Sequence, residues 1–137
     1  MWYDHDYFVS QTLRKHAKAM LRQIKLLNYS GAGINTLLSR GASGCSIASA
    51  ILALSDMPLY HTFVRKPHES AHGKSDCAGV SGRRKCVIVD DLISTGETIR
   101  NILNYAETRH LTVVAILVAS CDSWGQETFD DIPIYKC

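Results

Sequence analysis

The chain has 137 residues, 15 Lys plus Arg against 13 Asp plus Glu, and 46% hydrophobic residues. That is enough for one buried core, and 1–137 reads as a single domain, with a helix and connection over 1–33 and an α/β core over 34–137. No apolar run reaches membrane-span length, the polar start Met1-Trp2-Tyr3-Asp4-His5 does not read as an export signal, and a formal charge of +2 is too small to imply a nucleic-acid partner by itself. The expectation is a cytoplasmic protein with neither membrane nor nucleic acid as partner.

Val9, Leu13, Ala17, Met20, Ile24 and Leu27 recur every three or four residues and predict an amphipathic helix over Asp6–Leu27. Arg14, Lys15, Lys18, Arg22 and Lys25 populate its other face. They read as a solvated surface, since a nucleic-acid patch would need aromatics among the charges. Asn28-Tyr29-Ser30-Gly31-Ala32-Gly33 breaks the helix. Ile34–Ser39 reads as a short buried strand, Arg40-Gly41-Ala42-Ser43-Gly44 as a tight glycine-bearing loop, and Cys45–Leu54 as a small, apolar helix packed closely on a sheet. Pro58–Val64 is a second strand, and the polar stretch Arg65–Arg83 reads as a mobile loop. Lys85–Asp90 contains Cys86-Val87-Ile88-Val89, a continuous apolar run of the kind found in central parallel strands. A helix over Gly96–Thr108, a buried strand over Leu111–Ser120 and a short strand over Ile132–Lys136 complete the pattern. Strands alternating with helices predict an α/β fold, a mostly parallel sheet flanked by helices, with ligands beyond the carboxyl ends of the strands.

The cysteines, Cys45, Cys77, Cys86, Cys121 and Cys137, are scattered and form no C-x-x-C pair, so free thiols are expected. His68, His72, Cys77 and Cys86 match no standard zinc spacing.

The stretch Cys86 to Ile99, Cys-Val-Ile-Val-Asp-Asp-Leu-Ile-Ser-Thr-Gly-Glu-Thr-Ile, carries the chemistry. An apolar strand ends in two adjacent acids, and a Ser/Thr/Gly loop then opens a helix. Successive backbone N–H groups at such a turn, with the positive end of the helix dipole, form an anion cradle. Ser94, Thr95 and Thr98 add hydroxyl donors. A phosphate monoester suits that cradle. Asp90 and Asp91 repel phosphate but accept hydrogen bonds from vicinal hydroxyls. Phosphate and diol side by side describe a ribose 5-phosphate.

These residues resemble the phosphoribosyl pyrophosphate motif of the type I phosphoribosyltransferases: four apolar residues, two acids, two apolar residues, then Ser/Thr-Thr-Gly-x-Thr. Glu97 departs from the small residue the family often has there. The resemblance runs from about Ile34 to Tyr135 and implies that family's core with a reduced base-binding hood. It places the pyrophosphate loop at Arg40, Gly41, Ala42, Ser43 and Gly44, with Arg40–Gly41 as the expected site of a non-proline cis peptide. Val64-Arg65-Lys66-Pro67-His68-Glu69-Ser70-Ala71-His72-Gly73 resembles the catalytic loop of the orotate branch, although the interval to His72 is one residue longer and the inner lysine is missing.

The resemblance implies transfer of ribose 5-phosphate from phosphoribosyl pyrophosphate to a nucleobase, orotate or another pyrimidine first and a purine second. The 5-phosphate would rest on Ser94, Thr95, Gly96, Glu97 and Thr98, and the diol on Asp90 and Asp91. Pyrophosphate would meet Arg40–Gly44, Arg65, Lys66 and His72. Mg2+ would bind through substrate and water rather than through direct protein ligands. A homodimer is expected from the same resemblance. Trp124 and Phe129 are candidates for stacking on a base. A non-catalytic sensor of phosphoribosyl pyrophosphate or a nucleotide, regulating expression, is the second reading.

Overall fold

The computed structural model describes residues 10–65, 84–121 and 124–137. Helix α1 (Ser10–Tyr29) buries Ala17, Met20, Leu21 and Ile24, the stripe its periodicity predicts, and runs two residues past the expected end. Asn28 fixes the exit. Its Oδ1 accepts the Ile34 N–H at 2.6 Å and its Nδ2 donates to the Ile34 carbonyl at 3.0 Å, closing the turn around Gly31 at φ +96°.

The remaining elements are β1 (Thr36–Ser39), α2 (Gly41–Leu54), β2 (Tyr60–Phe63), β3 (Lys85–Leu92), α3 (Glu97–Thr108), β4 (Thr112–Ser120), β5 (Thr128–Phe129) and β6 (Ile132–Lys136). They form a six-stranded sheet in the order β2-β1-β3-β4-β6-β5, parallel except for the β5–β6 pair. This is the mostly parallel α/β sheet expected from the sequence. Strands β1, β3 and β4 have neighbours on both sides and helices on both faces, which is why they read as unbroken apolar runs. Alternate residues go to opposite layers. Leu37, Val87, Val89, Ala115 and Leu117 pack under α1 and α2, while Leu38, Cys86, Ile88, Ile116 and Val118 pack under α3.

Three details differ from expectation. Arg40–Gly44 is not a loop: α2 begins at Gly41, so those residues form its first turn. A single extended residue, Arg40 (φ −150°, ψ 135°), joins β1 to the helix, and Gly41 at φ +84° makes the sharp turn that glycine alone adopts readily. The Arg40–Gly41 bond is trans, as are all peptides among the described residues. β3 runs two residues past the expected Lys85–Asp90 and carries both acids, pairing Asp90 with Val118 and Leu92 with Ser120 of β4. Finally, β5 has no counterpart among the predicted strands. It joins β6 through Asp130 and Asp131, both at positive φ (49° and 67°), as a two-residue hairpin turn of the mirror-image type requires.

Candidate functional site

The carboxyl ends of β1 and β3 lie side by side, and the helices that follow them start at one cleft of about 250 Å³. Arg40, Gly41, Ala42 and Ser43 line one wall; Asp90 through Ile99 line the other. Residues some fifty positions apart in sequence therefore share a site. Neither N-cap residue makes a side-chain cap hydrogen bond: the residue before α2 is Arg40, and the residue before α3 is Gly96, at φ +84°. Thr95 Oγ1 accepts the Glu97 N–H at 3.2 Å, so one hydroxyl is engaged locally. Two helix N-termini thus present main-chain donors to one space, which favours an anion there. Ser94, Thr95 and Glu97 are exposed, and Gly96 is buried.

The acids give the cleft its other character. Asp90 is 7% exposed. Burial first, and then the hydrogen bond and charge of Asp91, push its carboxyl up to about 8. The Asp91 N–H, donated to Asp90 Oδ1 at 2.8 Å, pulls weakly the other way. Asp91 Oδ1 in turn accepts the Leu92 N–H at 2.9 Å. The two ion pairs found among the described residues, Lys25–Asp56 and Arg100–Asp130, lie elsewhere. Two carboxyls at the end of a buried strand therefore have oxygen acceptors to spare, and no cation among the described residues pairs with them.

Gly44 belongs beneath this site rather than in its wall. A Cβ there would sit 3.2 Å from the Val89 carbonyl and 3.5 Å from Asp90 Oδ1, so its missing side chain lets α2 press onto β3 just below the acids. Arg65 stands at the same sheet edge, after Val64, whose N–H bonds the Ser39 carbonyl at 2.7 Å. It does not line the cleft, because β2 is one strand further out than β1. Lys66 and His72 lie outside the described residues, as does the rest of the predicted 66–83 loop and the candidate zinc residues His68 and Cys77. Cys86, the last of that set, is fully buried in the sheet with its thiol pushed up to about 12 by burial, which disfavours the thiolate a metal needs.

The aromatic candidates take a different role from the expected one. Trp124 and Phe129 stack on each other at 5.0 Å and 23°, and Phe129 is 4% exposed. The pair covers Gly96: a Cβ there would meet Phe129 Cε2 at 2.7 Å and Trp124 Cζ3 at 3.1 Å. Arg100 lies over the Phe129 ring and pairs with Asp130, tying α3 to the β5–β6 turn. The sequence reading also missed a polar cluster under the α2 turn. Ser39, fully buried, bonds His61 Nε2 at 2.7 Å and Cys45 Sγ at 3.3 Å, and burial lowers the His61 pKa. The only signal for it is the β1–β2 register, which sequence spacing does not reveal.

No family model matches the chain. It is 28% identical over 119 residues to the transcriptional regulator GfcR of Methanocorpusculum labreanum, covering 85% of this chain and 60% of that protein. It is 32% identical over 112 residues to the transcriptional regulator GfcR 2 of Methanosarcina barkeri, covering 76% and 52%. The chain thus spans little more than half the length of these relatives. Among solved structures, adenine phosphoribosyltransferase of Saccharomyces cerevisiae matches with a TM-score of 0.68 at 17% identity, over 92% of this chain and 76% of that one. Orotate phosphoribosyltransferase of Mycobacterium tuberculosis, solved with 5-phospho-α-D-ribosyl 1-diphosphate, matches with a TM-score of 0.67 at 15% identity, over 84% and 63%. At such identities the likeness concerns architecture, and it agrees with the strand order and the cleft: the chain has the type I phosphoribosyltransferase fold.

Proposed function

We propose that this domain binds phosphoribosyl pyrophosphate, or a nucleotide with the same 5-phosphoribosyl group, and acts as the ligand-sensing domain of a transcriptional regulator. The observation that carries the binding half is the convergence on one cleft of two helix N-termini, neither capped by the side chain of its N-cap residue, and two acids with no ion pair among the described residues. In this reading the 5-phosphate rests on the amides of Ser94–Thr98, and the ribose diol donates to Asp90 and Asp91. The diphosphate faces the first turn of α2 at Arg40–Ser43, with Arg65 toward the outer edge; the family resemblance would add Lys66 and His72. Among the described residues no three His, Cys, Asp or Glu side chains converge to hold a metal. Mg2+ would enter with the diphosphate, and Asp90 and Asp91 are the acids that could steady it through water.

The regulatory half is supported by the names of the relatives and by what the cleft lacks. None of the described residues lining it is aromatic, and Trp124 and Phe129 stack on each other. A sensor of the phosphoribosyl group needs no base platform, whereas a transferase does. The second reading, transfer to a base, is favoured by Arg65-Lys66 and His72-Gly73 in the sequence. It would proceed by positioning the ribose, excluding water and neutralising the leaving diphosphate.

Calorimetric titration with phosphoribosyl pyrophosphate and Mg2+, followed by a diphosphate-release assay over a panel of bases, tests both. Binding without release is expected. Asp90→Asn/Asp91→Asn should bind at least tenfold more weakly; wild-type affinity in that variant overturns the site assignment, and release with any base replaces sensing by transfer.

A further inference from the structure

The formal charge of +2 conceals a steep separation. Between Tyr7 and Ser55 the sequence has six cations and no acid; between Cys86 and Cys137 it has eight acids and three cations. The fold turns this into two charged sides. α1 and α2 cover one face of the sheet, and α2 bears no charge, so the cations of that layer are those of α1. The opposite layer holds Glu97 and Glu107 of α3 and the Asp130–Asp131 turn.

Arg14, Lys15, Lys18, Arg22 and Lys25 are all exposed. At 3.6 residues per turn they fall within an arc of roughly 100°. Lys25 meets Asp56 at 3.2 Å, with both side chains largely in solvent, and this is the one ion pair α1 makes among the described residues. Among the described residues the other four cations of the row have no acid in ion-pair reach. Holding so many like charges on one helix face costs stability unless a polyanion lies against it.

The row runs about 16 Å from Arg14 to Lys25, and one strand of duplex DNA places a phosphate about every 3.4 Å of axis, so the row faces roughly five phosphates. A membrane surface fits poorly. An interfacial helix inserts its apolar face, and here Ala17, Met20, Leu21 and Ile24 are buried in the protein core. Single-stranded nucleic acid fits poorly as well, because within α1 itself Tyr29, 93% exposed at its end, is the one aromatic where a stacking surface needs several.

We propose that the outward face of α1 docks along the phosphate backbone of duplex DNA, adding affinity without reading sequence. This rests on the regulatory reading above and assigns it a surface that shares no residue with the lining of the ligand cleft.

The test is fluorescence anisotropy of the whole chain with a labelled duplex of arbitrary sequence, titrated over a range of salt. With four to five phosphate contacts, log K should fall against log salt with a slope of about −4. Arg14→Gln/Lys15→Gln/Lys18→Gln/Arg22→Gln should flatten the slope to about −1 and lose at least tenfold in affinity at low salt. Its circular dichroism and its calorimetric affinity for phosphoribosyl pyrophosphate should match wild type. Unchanged DNA binding by that variant overturns the proposal. So does tighter binding of single-stranded RNA or of phosphatidylserine vesicles than of the duplex. Wild-type protein that binds DNA through this row but not phosphoribosyl pyrophosphate would remove the sensing function and leave the surface standing; binding of phosphoribosyl pyrophosphate without DNA would do the reverse.

Discussion

Asp90 ends a buried strand beside a second carboxyl, and burial followed by Asp91 moves its carboxyl from an ordinary 3.8 to about 8. The folded protein therefore holds a proton that the unfolded chain has already released. Native stability from this group is fully present below about pH 4 and declines as pH rises through 8, the direction required when the native state binds more protons. Asp90→Asn keeps the shape and removes the charge. It should melt above wild type at pH 8.5, with the gap closing toward pH 5, in thermal scans followed by circular dichroism. If the proposed function holds, the same substitution should weaken ligand binding, which places the acid where selection for function opposes stability. An equal gap at both pH values would mean that the carboxyl is not what destabilises the strand end.

At the scale of elements, the turn before α3 is held from above. Gly96 combines φ +84° with a contact to Phe129 that leaves no room for a Cβ. Gly96→Ala should lose about 1–2 kcal/mol from the left-handed backbone and a further 1–3 kcal/mol from overpacking, measured by urea denaturation. Adding Phe129→Ala in the same chain removes the collision but leaves the backbone cost, so the double variant should show less than the sum of the single losses. Additive losses would show that the aromatic pair does not bear on the turn. This contrast also explains what the sequence could disclose. β3, its acids and the turn into α3 are contiguous, and their order of apolar, acidic and hydroxyl residues states the local chemistry directly. α1 was legible from its stripe. The first turn of α2 was misread as a loop because two glycines in five residues signal a break, whereas Gly41 makes the bend and Gly44 makes a close approach to β3 inside the helix. β5, two residues long, has too little chain for any periodicity. The Ser39–His61–Cys45 cluster and the Trp124–Phe129 cover over Gly96 depend on strand register and hairpin placement, which no local pattern records.

For the molecule as a whole, a ligand bound only by the native state should raise stability by about 2.7 kcal/mol at a hundredfold excess over Kd. In a chain of this size that corresponds to a rise in melting temperature of roughly 5–10 °C. Differential scanning fluorimetry with phosphoribosyl pyrophosphate and Mg2+ should show it for wild type and not for Asp90→Asn/Asp91→Asn. Stabilisation by diphosphate alone that equals the full effect would mean that the diol contacts contribute nothing.

The parallel pairing of β1 with β3 bears on how the chain is made. Those strands are adjacent in the sheet, yet β2 and everything up to Arg84 intervene between them. The two walls of the cleft cannot meet until that long excursion has closed, a slow, entropically costly step compared with forming any helix or hairpin. A nascent chain still on the ribosome, with β3 not yet emerged, has no pocket at all. Under the proposed function, occupancy would begin only once β3 has joined β1, and shorter nascent chains would not respond to the ligand.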